Sequence, residues 1–459
     1  SGTFEYELTA HSPILVGEGT IQDDHGGIVN FFKTPDNQYA IPGTSIKGMI
    51  RNWLETATHS RMSIMNDHWL SYRDLRNPEY REQLTETIDQ QTYRARTKSG
   101  WIRFDSGEWK LYPAESWRVE NSDIQNAFNI RINDKESEKI YKKLNGIQGV
   151  TFSGEKENSH NHSNGNQLIY AKAKNIVPSQ NPEGYLIVTG QVSNKKHMNF
   201  IFSAPLTQPK PFENDFVLKS FLDINLERED FKYLKSLNHQ HGIPVFYLED
   251  KGYVTQMGMA QMFRFPYKYS VGQLRHDSHI DKNETRKDFA ELLFGSIEED
   301  SESYKGRVSF SLAKCQQQNI EPIKLKPTVL GGPKNSFYPA YIDQSNAKNG
   351  YQTYNQSDAK LSGFKRYAIR SNFSEKELLD PPTIKGNTNF KVATQLHPLP
   401  AGTTFKGKVR FHNIQPEELG ALLFAFNLDE NSDELFHNIG MGKAFGLGKI
   451  KFREIKVEL

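Results

Sequence analysis

Apolar and polar positions alternate at the start of the chain, where Phe4, Tyr6 and Leu8 are two apart, the period of a strand with one buried face. A glycine-rich stretch at residues 16–19 and a polar one at 22–27 come next. Residues 28–32 predict a second strand, ending in a turn at 34–37. From Ile41 the period changes. Ile46, Met49, Ile50, Trp53, Leu54 and Ala57 fall on one face of a helix, after a Pro42-Gly43 turn and with Thr44 or Ser45 as a hydroxyl cap for its unpaired N–H groups. Lys47, Arg51 and Glu55 lie four apart on another face.

Between residues 96 and 259 the texture is that of short strands. Residues 101–104 and 109–112, 185–189 and 197–202, and 245–248 and 253–255 read as three hairpins. Residues 132–166 are polar and read as a loop with a short helix. A helix at 286–294 is stopped by Gly295, and Val308, Phe310 and Leu312 alternate as a strand. Residues 327–390, rich in Pro, Gly, Asn and Tyr, read as a protruding lobe. Residues 404–411 form a strand with Lys406, Lys408 and Arg410 on one face. Pro416 opens a helix whose first turn carries Glu417 and Glu418, and a glycine loop at 440–448 precedes a last strand from Lys449. This order predicts an α+β, ferredoxin-like core in two parts, residues 1–95 and 260–459, with a β-rich insertion at 96–259. No segment recurs in tandem, so one core with insertions is expected.

With 459 residues the chain has room for two or three domains, and 36% hydrophobic with 24% charged residues is a globular composition. A net charge of +2 excludes polyanion binding driven by bulk charge, so any RNA-binding surface must be a local patch. One cysteine, Cys315, excludes a disulfide framework and a cysteine-based zinc site, and suits a reducing cytoplasm. Without an apolar run of about 18 residues or a leader pattern, no membrane helix and no membrane partner are expected.

Residues 41–51, Ile-Pro-Gly-Thr-Ser-Ile-Lys-Gly-Met-Ile-Arg, resemble the Pro-Gly-Ser-Ser-(Ile/Leu)-(Lys/Arg)-Gly helix start of RAMP proteins, especially the backbone subunits of type III CRISPR effector complexes. Leu293-Phe294-Gly295 with Gly306-Arg307-Val308, and the loop from Gly440 to Gly448, are similar to segments those proteins carry in the same order. Thr189-Gly190-Gln191, Lys195-Lys196-His197 and Phe263-Arg264-Phe265-Pro266 resemble a long-chain subfamily. The resemblance implies a modified RNA-recognition-motif core. It also implies binding of guide RNA (crRNA), positioning of target RNA, and assembly with other CRISPR effector subunits in antiviral defence. Family proteins contact the RNA backbone with the glycine loop and the basic helix, which maps onto Lys47, Arg51, Lys443 and Lys449 here.

The chemistry of these residues fits, beside plainer readings. Gly440, Gly442, Gly446 and Gly448 lack a Cβ and can bring backbone N–H groups close to phosphate oxygens, with Lys443 and Lys449 adding charge; the plain alternative is a tight turn. Lys47 and Arg51 sit near a helix start; the alternative is an Arg51–Glu55 pair. Arg307 belongs to the second motif. Phe364-Lys365-Arg366-Tyr367-Ala-Ile-Arg370 interleaves rings with cations, as a base-stacking surface or an exposed strand edge. His276, Asp277, His279 and Asp281 read as solvated side chains, so no metal site is expected. Cleaving members of the family carry an acid before the helix, and the matching place here is Asn30, with Asp23, Asp24 and Asp36 nearby. The leading expectation is an RNA-binding assembly subunit with no required cofactor. The alternatives are a Mg2+-dependent endoribonuclease using Asp23 or Asp24, and a guide-processing endonuclease using His11 or His25.

Overall fold

The computed structural model describes residues 1–459 other than 24–25, 63–64, 66, 76, 162–164, 191–195, 207, 280–285, 298–302, 333, 348–349, 385, 429–431 and 433. It is an α+β chain of two compact units, one of residues 1–65, 275–351 and 360–459, the other of residues 66–274 and 352–359. The second unit begins and ends outside the 96–259 span read from the hairpins. Ser71–Tyr72 pairs with Phe265–Pro266, which joins the two flanks, and a ladder of two residues per strand carries no period to read.

The first unit is built on β1 (Gly2–Ala10), β2 (Gly17–Asp23), β3 (Gly26–Phe31), α1 (Gly43–Ala57), α2 (Phe289–Phe294), β4 (Val308–Phe310), β5 (Ala313–Cys315), β6 (Thr394–Leu396), β7 (Thr404–Phe411), α3 (Pro416–Asn427) and β8 (Lys449–Glu458). Its main sheet runs β8-β1-β7-β5, with β4 also on β7, and every one of these neighbours is antiparallel. Alternation decides the two faces. Phe4, Tyr6 and Leu8 of β1 are buried with Phe405 and Val409 of β7 and Ile450 and Phe452 of β8, against Ile46, Ile50 and Leu54 of α1 and Leu422, Ala425 and Phe426 of α3. Phe426 sits at the centre, its ring 5.1 Å from Phe4, 5.2 Å from Tyr6 and 4.7 Å from Phe452. A smaller sheet, β2-β3-β6, joins the same core where Phe31 stacks on Phe405 at 5.7 Å.

Several local expectations shift. The α1 helix starts at Gly43 with Pro42 as its N-cap, and neither Thr44 nor Ser45 caps it. The second core helix begins at Phe289 because Asp288 forms a capping box with Glu291. Within the 327–390 stretch, Leu378 is buried in the first core, and residues 352–359 belong to the second unit.

The second unit keeps all three predicted hairpins, Lys98–Asp105 with Glu108–Ala114, Gly184–Ile187 with Met198–Phe202, and Ile243–Asp250 with Tyr253–Gly258. The polar 132–166 stretch holds more structure than a loop. After the helix Ser137–Lys143, the strand Gly149–Asn161 pairs antiparallel with Gln167–Pro178. Much of the first strand is exposed, so it lacks the one-sided alternation that marks a half-buried strand.

His437 is a titratable group buried in the first core. It is 2% exposed, its Nε2 lies 3.2 Å from the Phe426 carbonyl oxygen, and its ring meets Trp53 and Phe452. Burial pushes its pKa down to about 4, and Arg366 acts in the same direction. The unfolded chain therefore takes up the proton first: stability is full above about pH 6.5 and is lost progressively as pH falls towards 4. Urea unfolding at pH 5 should show about 2 kcal/mol less stability from this group than at pH 7.5, and His437→Gln should recover much of that difference. An unchanged pH slope in the variant would refute the assignment.

Candidate nucleic-acid interface

The glycine loop is shaped by its own backbone. Gly440, Gly442, Gly446 and Gly448 all have left-handed φ, between +70° and +93°. A Cβ on Gly440 would lie 2.1 Å from the Leu15 carbonyl oxygen, and one on Gly448 would lie 1.9 Å from that of Ile439. The loop is stitched to the start of the chain. Met441 N–H donates to the Leu15 carbonyl, Gly448 N–H to that of Pro13, and Lys449 N–H to the Ser12 hydroxyl. Phe445, Gly446 and Leu447 donate to carbonyls inside the loop. Most of the loop's N–H groups therefore have protein partners, and the tight-turn reading accounts for the glycines.

What the loop offers is its lysines and the segment beside it. Gly446 packs against the backbone of residues 370–372, where a Cβ would lie 2.8 Å from the Asn372 carbonyl oxygen. Lys449 Nζ reaches the Ser371 carbonyl at 3.4 Å and lies 3.9 Å over the Phe436 ring. Lys443 donates to the Gly440 carbonyl and sits 5.8 Å from the centre of the Tyr367 ring. Lys365 lies 5.3 Å from the same ring and donates to the Tyr341 hydroxyl at 3.1 Å. Arg366 lies 4.1 Å over Trp53. Burial, and secondarily the nearby Lys365, lower the Lys443 pKa. Among the described residues, none of Lys365, Arg366, Lys443 and Lys449 forms an ion pair with a carboxylate. His11 adjoins the patch, edge-on to Phe436 at 5.0 Å, its pKa lowered by burial and by Arg453, Lys449 and Lys451.

The other predicted cations are engaged in the fold. Lys47 Nζ donates to the Phe294 carbonyl at 3.1 Å, its pKa lowered by burial and by Arg51. Arg51 donates to the Gly295 carbonyl at 3.0 Å and pairs with Glu55 at 2.7 Å, the plainer of the two readings. Arg307 grips Glu418 through both guanidinium ends and donates to the Leu292 and Asn413 carbonyls. These three tie α1, α2, β4 and α3 together. The α1 helix does reach the basic patch, but through Trp53 rather than Lys47 or Arg51. Tyr367 was visible in the sequence among the cations of 364–370, whereas Trp53 and Phe436 were missed because a lone ring reads as core until its cation is in view.

The open face of the main sheet is charged as well. Glu5 pairs with Lys408 at 2.9 Å and Glu7 with Lys406 at 3.4 Å, beside Lys314 and Lys456 in a shallow groove of about 270 Å3. Arg410 lies on β7 opposite Thr3.

Of the candidate catalytic acids, Asp24 lies outside the described residues, as do His25 and Asp281, and Asp23 ends β2. Asn30, the place where an acid was looked for, has its Oδ1 2.8 Å from His397 Nδ1. Asp36 is a turn acid whose pKa is lowered by the Thr34 hydroxyl. Asp277 pairs with Lys360 at 3.1 Å, and His279 lies 2.7 Å from the Ser60 carbonyl oxygen. Among the described residues no three His, Cys, Asp or Glu side chains gather as a metal site would need, and no helix is long and apolar enough to cross a membrane.

The RAMP superfamily model matches residues 7–237 and 262–451, nearly the whole chain, and the chain belongs to that superfamily. No curated protein matches it in sequence. Solved structures similar to it include a chain of a type IV-B CRISPR complex, at 10% identity over 99% of this chain and 90% of that chain, TM-score 0.26. A second is a chain of the type III-B Cmr-beta complex bound to cognate target RNA, at 9% identity over 99% and 97%, TM-score 0.23. Similarity at this level carries no argument about fold or activity.

The two kinds of glycine in this unit should respond differently to alanine. Gly448→Ala puts a Cβ into the Ile439 carbonyl at a left-handed φ, and should lower stability by about 2 kcal/mol or more in thermal or urea melts. Gly48→Ala, in α1 with open space around the added methyl, should be neutral or stabilising by up to about 1 kcal/mol.

Proposed function

We propose that this chain is an RNA-binding subunit of a CRISPR interference complex of type III character, holding guide RNA by its phosphate backbone and helping to position target RNA beside other effector subunits. The observation that carries the reading is the meeting of two basic segments distant in sequence, 365–372 and 440–449. Their lysines and Arg366 are set among the rings of Trp53, Tyr367 and Phe436 with no carboxylate to neutralise them among the described residues. Cations on rings beside exposed backbone suit a strand whose phosphates need charge and whose bases need flat apolar partners. Membership of the RAMP superfamily supports it. So does the antiparallel order β8-β1-β7-β5 with both long helices on one face, the arrangement of a modified RNA-recognition motif. Phosphate contacts of this kind need no cofactor.

The test uses the chain assembled with its partner subunits and a labelled guide RNA. Lys443→Ala with Lys449→Ala should weaken binding to all sequences alike and make the log–log salt slope shallower by about 1–2, because phosphate contacts carry no base information. Arg307→Met should leave that slope unchanged while lowering the unfolding midpoint, since Arg307 binds Glu418. Unaltered affinity and slope in the double lysine variant would remove the proposed surface.

A further inference from the structure

The second unit carries a half-open cavity of about 430 Å3 whose charge is one-sided. Arg73, Arg118 and Lys196 line it, its apolar wall includes Tyr170, Phe200 and Met262, and no Asp or Glu is among its lining residues. A cavity of about 610 Å3 in the same unit is different: its arginines and lysine face several acids, among them Asp230, paired with Arg228 at 2.6 Å.

The strands place these groups. Ser116–Glu120 pairs antiparallel with Met198–Phe202, setting Arg118 opposite Phe200. The Arg118 guanidinium lies 4.9 Å over the Tyr170 ring and donates to Gln261 Oε1 at 2.7 Å. Among the described residues its other N–H groups have no acceptor. Lys196 Nζ donates to Thr189 Oγ1 at 2.8 Å and Asn199 Oδ1 at 2.6 Å, again without a carboxylate. Burial lowers the Arg118 pKa and brings that of Lys196 to about 7. Cations withdrawn from water without a counter-charge are unfavourable, and a cavity lined by one sign of charge focuses its potential on an incoming anion.

An anion is thus the missing component, and the apolar wall selects one attached to a flat apolar body. Arginine's planar fork suits phosphate oxygens, and the volume is that of a small-ligand site. We propose that this cavity binds a single nucleotide, its phosphate on Arg118 with Lys196 as second cation and its base against the Tyr170, Phe200 and Met262 wall. The choice of a nucleotide over an acidic peptide rests on the RNA-handling reading above. The same chemistry is offered by a free nucleoside monophosphate or by one unit of a single strand.

Calorimetry on the full chain tests this, with adenosine and uridine 5′-monophosphates, inorganic phosphate, a uridine tetranucleotide and an acidic hexapeptide as probes. A mononucleotide should bind at least about tenfold more tightly than inorganic phosphate, and Arg118→Met should weaken it by about tenfold or more. Met262→Glu, at a partly exposed wall position, should do the same and covers the case in which the Arg118 variant fails to fold. Tighter binding of the tetranucleotide points to a strand as the source, and equal or weaker binding to a free nucleotide; either supports the site. Binding no tighter than phosphate, indifference to both variants in folded protein, or binding of the peptide instead of nucleotides would overturn it. Lys443→Ala with Lys449→Ala should leave mononucleotide binding unchanged. A chain that loses guide RNA in that variant yet never binds mononucleotides sinks this site alone.

Discussion

The first strand, Gly2–Ala10, is hydrogen-bonded along both edges to strands from the far end of the chain, Thr404–Phe411 on one side and Lys449–Glu458 on the other. Two ladders on one strand leave little freedom for the residues just beyond it. Residues 12–15 emerge beside the loop that precedes the last strand, and the Ser12, Pro13 and Leu15 contacts fasten that loop to them. The left-handed glycines permit this approach, because a side chain at Gly440 or Gly448 would occupy the position of a carbonyl oxygen. The basic patch is a consequence: Lys443 and Lys449 are carried by a loop that the ends of the chain hold still.

Charge then sorts the cations by their partners. Arg51 and Arg307 have carboxylates and carbonyls, and Lys47 a carbonyl; their work is to bind helices and strands to one another. Lys365, Arg366, Lys443 and Lys449 have rings and carbonyl oxygens, which orient a cation without neutralising it. Only cations of the second kind keep a field to offer a polyanion. A net charge of +2 is therefore compatible with a local patch that keeps its positive field.

Much of the first core was legible, because its elements are amphipathic and short-range geometry is written in their spacing. Phe4, Tyr6 and Leu8 marked a strand, Ile46, Ile50 and Leu54 a helix, and all six are buried. The hairpin of Gly149–Asn161 and Gln167–Pro178 was not legible, since exposure along much of its first strand removes the alternation. The candidate interface was legible by residue type but not by role. Lys443, Lys449, Lys365 and Arg366 were visible as basic residues among glycines and rings. Nothing local distinguished them from Arg307, whose partner Glu418 lies 111 residues away.

By itself the sequence determined the α+β class, the amphipathic faces of the core elements, and the glycine positions without which the loop cannot turn. The tertiary structure alone decided which cations are consumed by the fold, that Trp53 rather than Lys47 links the first helix to the basic patch, and that Arg118 and Lys196 share a cavity without acids. The physical reason is range. Periodicity and backbone conformation depend on neighbours along the chain, whereas an ion pair or a charge left unpaired depends on distance through space, which exists only once the strands have paired.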